Sequence, residues 1–246
     1  MKLSDYLFYE EPGITLYCGD ALDVLPQLPS VALVITDPPY SFGLASTAAE
    51  GKAGSWGDMM NNARWYGSWL SECRRLTEHR QGAAWVFNSW RSFPVLARAA
   101  HETWAIESLL VWDKDWIGPG GPRGLRPSYE LVALFVHAEF ALADRGLPDV
   151  WRSPWSSQKP NGHPAEKPID LVRRLIRESG GDLVLDPFCG SGTTLEAAKI
   201  EGRQAIGIEC EPKYCELTVK RLRQEVLPVA QEVVPEVLPF QAALIP

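Results

Sequence analysis

In Leu183-Val184-Leu185-Asp186-Pro187-Phe188-Cys189-Gly190-Ser191-Gly192-Thr193-Thr194 a short apolar run ends in an acid and breaks into a loop with two glycines. Glycine at such a bend lets backbone approach a ligand closely, and a helix that starts there turns its free N–H groups toward it. A second run, Val31-Ala32-Leu33-Val34-Ile35, ends in the same manner, in Thr36-Asp37-Pro38-Pro39-Tyr40. Both read as buried strands whose carboxyl ends carry an acid and a tight turn. Open α/β sheets hold their ligands in the crevice beyond those ends, so the two segments predict one shared site.

Outward from them, strands and helices alternate. Ile14 to Tyr17 reads as a strand and Gly19 to Leu25 as a helical turn leading into the strand before Asp37, an order that predicts parallel sheet. Trp65, Trp69, Leu70, Cys73 and Leu76 have helical spacing, Gly82 to Phe87 reads as a strand, and a helix is predicted from Phe93 to Thr103. Ser108 to Trp112 and the strongly apolar Tyr129 to His137 follow as strands. Ile169 to Glu178 is predicted as an amphipathic helix closed by Gly180-Gly181. Strand, loop, helix and strand then recur from Leu183 to Glu209, and a last helix covers roughly Tyr214 to Glu225. Ser41 to Asn62 and Asp115 to Pro127, rich in Gly with Ala, Ser or Pro, read as loops, and Ala138 to Pro164 has no clear period and is expected to run over the surface near the site. We expect one domain over residues 1–225. The tail 226–246, with four prolines and no Lys or Arg, is either disordered or docked as an extended segment.

Composition narrows the function. The net charge of −7 argues against a protein that coats nucleic acid nonspecifically, which depends on Lys and Arg neutralising phosphates. The charge is unevenly spread, however. Residues 60–100 hold Arg64, Arg74, Arg75, Arg80, Arg91 and Arg98 against only Glu72 and Glu78, so they form either a local basic face or solvated helix charge. The cysteines, Cys18, Cys73, Cys189, Cys210 and Cys215, never fall as Cys-x-x-Cys, and the four histidines show no ligand spacing, so no metal site is expected. No apolar run is long enough for a membrane span and Met1 to Asp5 lacks signal-peptide blocks, so the expected location is the cytoplasm.

Asp37-Pro38-Pro39-Tyr40 carries a specific chemistry. The lone pair of an exocyclic amine on an aromatic base is delocalised into the ring, which makes the nitrogen a poor nucleophile. A carboxylate from Asp37 and a carbonyl from Pro38, each accepting one N–H, favour a pyramidal nitrogen and stabilise positive charge as it attacks a methyl donor. The prolines fix φ and hold the carbonyl in place, and Tyr40 offers a ring face for the base. A rigid surface turn is the plain structural alternative. The Gly190/Gly192 loop lacks the third glycine of a dinucleotide fingerprint and the lysine of a P-loop, but the next strand, Gln204 to Ile208, ends in Glu209, where a carboxylate can take ribose hydroxyls. That combination fits a nucleoside ligand without pyrophosphate; a tight helix entry is the alternative.

From about Ile14 to Glu225 these segments resemble the amino DNA methyltransferases acting on exocyclic nitrogens of adenine or cytosine, in the β-group order where the catalytic tetrapeptide precedes the S-adenosylmethionine loop. The resemblance implies a Rossmann-like class I methyltransferase fold: an α/β domain with a mostly parallel seven-stranded sheet and helices on both faces. It assigns Asp37, Pro38, Pro39 and Tyr40 to catalysis. Asp186, Phe188, Gly190, Gly192, Thr193 and Thr194 match the cofactor loop, and Glu209 matches the ribose acid. Leu16-Tyr17-Cys18-Gly19-Asp20-Ala21-Leu22 resembles the segment whose Asp, here Asp20, contacts the cofactor adenine. His163-Pro164-Ala165-Glu166-Lys167-Pro168 resembles the element that puts a lysine, here Lys167, at the methionine end. Asp rather than Ser at position 37 favours adenine N6 over cytosine N4. The implied partner is DNA with its target base flipped out; a homodimer and a cognate restriction nuclease are compatible additions. Residues 138–162 are a short candidate target-recognition segment, shorter than the insert of larger relatives. Trp56, Trp116, Trp151 and Trp155 fall in predicted loops, either packing there or stacking on an unpaired base. A cofactor- or DNA-binding module without turnover is the rival class, but it has no need of an amine clamp.

Overall fold

A computed structural model of the protein describes residues 1–39, 63–118, 124–155 and 166–224. Tyr40, the 41–62 loop with Trp56, His163 with its neighbours, and the 226–246 tail lie outside the described residues. The described strands are β1 (Leu7–Glu11), β2 (Ile14–Cys18), β3 (Leu33–Thr36), β4 (Ala83–Asn88), β5 (Ile106–Asp113), β6 (Tyr129–Val136), β7 (Val150–Arg152), β8 (Leu183–Asp186) and β9 (Gln204–Glu209). They form one nine-stranded sheet in the order β1-β2-β9-β8-β3-β4-β6-β5-β7. From β2 through β4 all neighbours are parallel, whereas β6 runs antiparallel to both β4 and β5.

The expected seven strands are therefore the inner seven of nine. On one edge β1 folds back on β2 as an antiparallel hairpin, through a turn in which Gly13 takes φ +84°, open to glycine without strain. On the other edge β7 pairs in parallel with β5. Neither edge strand had a readable period: β1 is largely exposed, and β7 is three residues long with only Trp151 buried. Trp151, expected in a loop, instead packs its ring 6.4 Å from that of Trp85 and under the Arg174 guanidinium at 3.9 Å. It is 3% exposed and so is closed to a stacking base.

Helices cover both faces. α1 (Ala21–Val24), α2 (Ala63–Glu78) and α3 (Phe93–Thr103) lie on one, and α4 (Ile169–Ser179), α5 (Thr193–Ile200) and α6 (Pro212–Leu222) on the other. Side chains alternate between the two cores as strand geometry requires. Leu33 and Ile35 of β3, with Ala83, Trp85 and Phe87 of β4, face α4 and α5, while Val34, Ala84 and Val86 face α2 and α3. Each fully buried Leu, Ile or Val contributes about 1.5–3 kcal/mol relative to exposure. That doubly covered sheet is why β3 and β4 read as unbroken apolar runs. Among the described residues no helix is long and apolar enough to cross a membrane.

The chain leaves β8 toward β9 and leaves β3 toward β4, in opposite directions along the sheet. Between the parallel neighbours β3 and β8 the strand order reverses, and it is beyond the strand carboxyl ends at such a reversal that open α/β sheets hold their ligands. Three of the arginines of residues 60–100 are engaged in local contacts. Arg74 donates to the Thr103 carbonyl, Arg75 bonds Glu72 and the Leu25 carbonyl, and Arg80 pairs with Asp182.

Candidate active site

Asp37 and buried Pro38 follow β3 directly, next to the loop that leaves β8. The two segments are tied by Asp186. Its Oδ1 accepts from the Thr36 hydroxyl at 2.9 Å and from the Phe188 N–H at 3.1 Å, and the Thr194 hydroxyl also bonds this carboxyl. Asp186 is 4% exposed. Burial pushes its carboxyl up to about 7, against the pull of these donors and with a further push from Asp37. Asp186 thus fixes the distance between the acid turn and the glycine loop.

The glycine loop carries its own ties. The Gly190 N–H donates to Glu209 Oε2 and the Glu211 N–H to Glu209 Oε1, both at 2.9 Å. Burial holds Glu209 above the usual carboxylate range and those two N–H groups oppose it. Gly190 has φ +53° with nothing near the place a Cβ would take, so backbone faces open space there. Gly192, at φ +83°, has the Thr218 side chain 2.6 Å from that place. The Thr193 hydroxyl accepts from Arg221 at 2.5 Å, so the hydroxyls of Thr193 and Thr194 both hold the loop together. Phe188 sits 5.5 Å from the rings of both Trp65 and Trp69 on α2. Asp20 caps α1 by accepting the Leu22 N–H at 2.8 Å, and the adjacent Gly19 N–H donates to the Glu209 carbonyl. Asp20, Glu209, the loop and Asp37 therefore stand at the same end of four consecutive parallel strands.

Lys167 stands among acids. Its Nζ lies 2.6 Å from Asp37 Oδ2 and 3.0 Å from Glu130 Oε2, and Glu130 Oε1 pairs with Lys114 at 2.5 Å. Burial works against the Lys167 charge, but Asp37 and Glu130 outweigh it and hold the ammonium above the usual lysine range. Burial likewise opposes ionised Glu130, and Lys167 and Lys114 prevail, lowering its pKa. Nearby, Arg221 of α6 is 1% exposed and pairs with Glu166, Glu196 and the Thr193 hydroxyl.

Sequence reasoning had not singled out Lys114, Glu130 or Arg221. Glu130 carries a signal in retrospect, as a lone acid near the start of an otherwise apolar strand. Lys114 and Arg221 carry none, because ordinary surface helices and strand ends hold the same residue types. Of the tryptophans expected in loops, Trp116 and Trp155 stack on each other with centroids 4.4 Å apart.

A covered parallel sheet with acids and a glycine loop on adjacent strand ends is a nucleoside-binding arrangement that the class I S-adenosylmethionine-dependent methyltransferases share, and solved structures place the fold among them. The M1.HpyAVI–SAM complex superposes with a TM-score of 0.65 at 25% identity, covering 85% of this chain and 99% of that one. The cytosine-N4-specific PvuII DNA methyltransferase shares the fold, with a TM-score of 0.64 at 21% identity over 89% of this chain and 88% of its own. Among curated proteins, the DNA adenine methyltransferase YhdJ of Escherichia coli (strain K12) is 30% identical over 85% of this chain and 82% of its own length. The type II methyltransferase M2.MboI of Moraxella bovis is 28% identical over 93% and 94%. A family model for N6/N4 methyltransferases, described as DNA methylase, matches residues 31–220. The chain belongs to this family of DNA N6-adenine and N4-cytosine methyltransferases, whose cofactor is S-adenosylmethionine. The residues present suit that group: Glu209 and Asp20 are carboxylates at neighbouring strand ends, and the backbone at Gly190 is unobstructed.

Proposed function

We propose that this protein transfers a methyl group to the exocyclic N6 of adenine in DNA. The observation that carries the reading is an Asp-Pro-Pro turn on β3 beside the glycine loop of β8, with an acid rather than Ser leading the turn. When bound, S-adenosylmethionine supplies an electrophilic methyl group on a sulfonium. Glu209 and Asp20 would hold its ribose and adenine, and Gly190 would give its approach room, while Gly192 lets the loop pass against Thr218. Phe188, Asp186, Thr193 and Thr194 keep that loop in shape. A flipped adenine enters from the open end of the crevice, its ring against Tyr40. Asp37 and the Pro38 carbonyl would accept from the two amine N–H groups, which localises the nitrogen lone pair and stabilises the charge that builds as the N–C bond forms and the methyl group's S–C bond breaks to leave a thioether. Pro39 keeps the turn rigid. The proton leaves to solvent after transfer, so no strong base is required.

Residues 1–225 act as the catalytic domain. Residues 138–162, which include β7, form a short recognition segment; a homodimer or a cognate nuclease completes the system where selectivity requires it. Cytosine N4 is the neighbouring substrate, since the same clamp serves both amines. The test is incubation with labelled S-adenosylmethionine and unmethylated genomic DNA, digestion to nucleosides and mass spectrometry. The expected product is N6-methyladenine. N4-methylcytosine would replace the base and keep the clamp, and no methylated base despite cofactor binding would refute the reading.

A further inference from the structure

Four alternating charges form one chain that starts in the site: Asp37, Lys167, Glu130 and Lys114, with contacts of 2.6, 3.0 and 2.5 Å between successive members. The three beyond Asp37 are well buried, with side-chain exposures of 10% for Lys167, 18% for Glu130 and 15% for Lys114. Aromatic faces line the chain: the Lys167 ammonium stands 5.3 Å over the Phe87 ring and that of Lys114 5.0 Å over Trp112. These rings supply no full counter-charge, so the carboxylates must. An acceptor for an amine has to be negative and fixed in direction. A lysine paired with Asp37 alone would fix its direction but also neutralise it.

We propose that Glu130 is a positioning residue for the methyl transfer: it shares the charge of Lys167, so that Lys167 orients Asp37 without cancelling its power to accept the target amine. Lys114 steadies Glu130 from the far side and is the outer member of the same device. This inference rests on the reading of Asp37 as the amine acceptor. Glu130 itself meets Lys114 and Lys167, and its effect on Asp37 passes through Lys167. The role depends on the charge at position 130 more than on its shape, and this separates it from a packing role.

The experiment compares wild type with Glu130→Gln, Glu130→Asp and Lys114→Gln in steady-state methyl transfer, alongside cofactor affinity by tryptophan quenching and thermal melting. Glu130→Gln keeps the shape and removes the charge; kcat falls on the order of 10- to 100-fold, as expected for a misdirected reacting group, with the cofactor dissociation constant within about twofold. Glu130→Asp, shorter but charged, recovers most of the rate. Lys114→Gln lowers kcat by less, about 3- to 10-fold as an indirect share of the same effect, and it carries the test if Glu130→Gln does not fold. The inference is overturned if Glu130→Gln outperforms Glu130→Asp, if cofactor affinity falls in parallel with rate, or if Lys114→Gln keeps full kcat. Wild type that methylates no base overturns both this inference and its parent reading, whereas active wild type with an unimpaired Glu130→Gln overturns this inference alone.

Discussion

Replacing Arg221 by Met removes the cation that joins three segments of the site wall. The guanidinium is 1% exposed and pairs with Glu166 and, at 3.4 Å, with Glu196, while donating to the Thr193 hydroxyl at 2.5 Å. Met preserves most of the side-chain length and volume, so the loss is of charge and hydrogen bonds. Breaking a buried pair from one side costs about 3–5 kcal/mol, because the remaining charge is stranded. Here the acids keep some access to water, 11% for Glu166 and 20% for Glu196, which puts the expected loss at the lower end, about 3 kcal/mol. For a chain of this size that corresponds to a fall in melting temperature of roughly 6–12 °C. Burial already holds Glu196 above the usual carboxylate range with Arg221 opposing it. Without Arg221 its folded pKa rises further, so the deficit grows as pH increases through that range and shrinks in acid. Urea unfolding at pH 4.5, the unshifted value from which the Glu196 carboxyl is raised, and at pH 8 measures both effects. Adding Glu166→Gln to Arg221→Met removes one stranded charge and should restore about 1 kcal/mol. A single-variant loss below about 1 kcal/mol, or a double variant no more stable than the single, would refute the account of Arg221 as a buried tie.

Three further outcomes are expected. Asp37→Ala should lower kcat by at least about 10²- to 10³-fold, the scale for losing one preorganised stabilising group, while calorimetry shows cofactor still bound; ordinary turnover would remove Asp37 from the site. Asp186→Asn keeps an acceptor for Phe188 and Thr36 but cannot ionise. With the folded pKa of Asp186 raised from 3.8 to about 7, the unfolded chain ionises first as pH rises. Wild type thus loses stability relative to the variant between those values, by on the order of 4 kcal/mol at full extent; parallel stability profiles from pH 4 to 8 would contradict the raised value. Gly190→Ala and Gly192→Ala should separate binding from folding. Both glycines have positive φ, worth about 1 kcal/mol to an L-residue. Only at Gly192 does the new methyl also strike Thr218, adding about 1–3 kcal/mol of overpacking. Gly190→Ala should fold nearly normally yet bind cofactor more weakly, read by denaturation and by titration of the cofactor.

Much of the architecture was legible in the chain. The ends of α3, Phe93 and Thr103, matched the helical period, and α4 stopped at Gly180 as its glycine pair required. β3, β4, β8 and β9 were readable because both their faces are covered, which demands unbroken apolar runs. The edge strands β1 and β7 were not, since an edge needs few apolar residues and its pairing is chosen by whatever neighbour is in reach.

The same division holds at the site. Local chemistry wrote Asp37-Pro38-Pro39 and the Gly190/Gly192 loop into the sequence, because a fixed carbonyl needs proline and a positive φ needs glycine within a few residues of the acid they serve. What surrounds those residues was decided by the fold. Glu130 and Lys167, or Arg221 and Glu166, are far apart in sequence and meet only when the sheet and its covering helices assemble. Their pairing follows from burial, which leaves a charged side chain no solvent and makes the opposite charge across the interior its necessary partner.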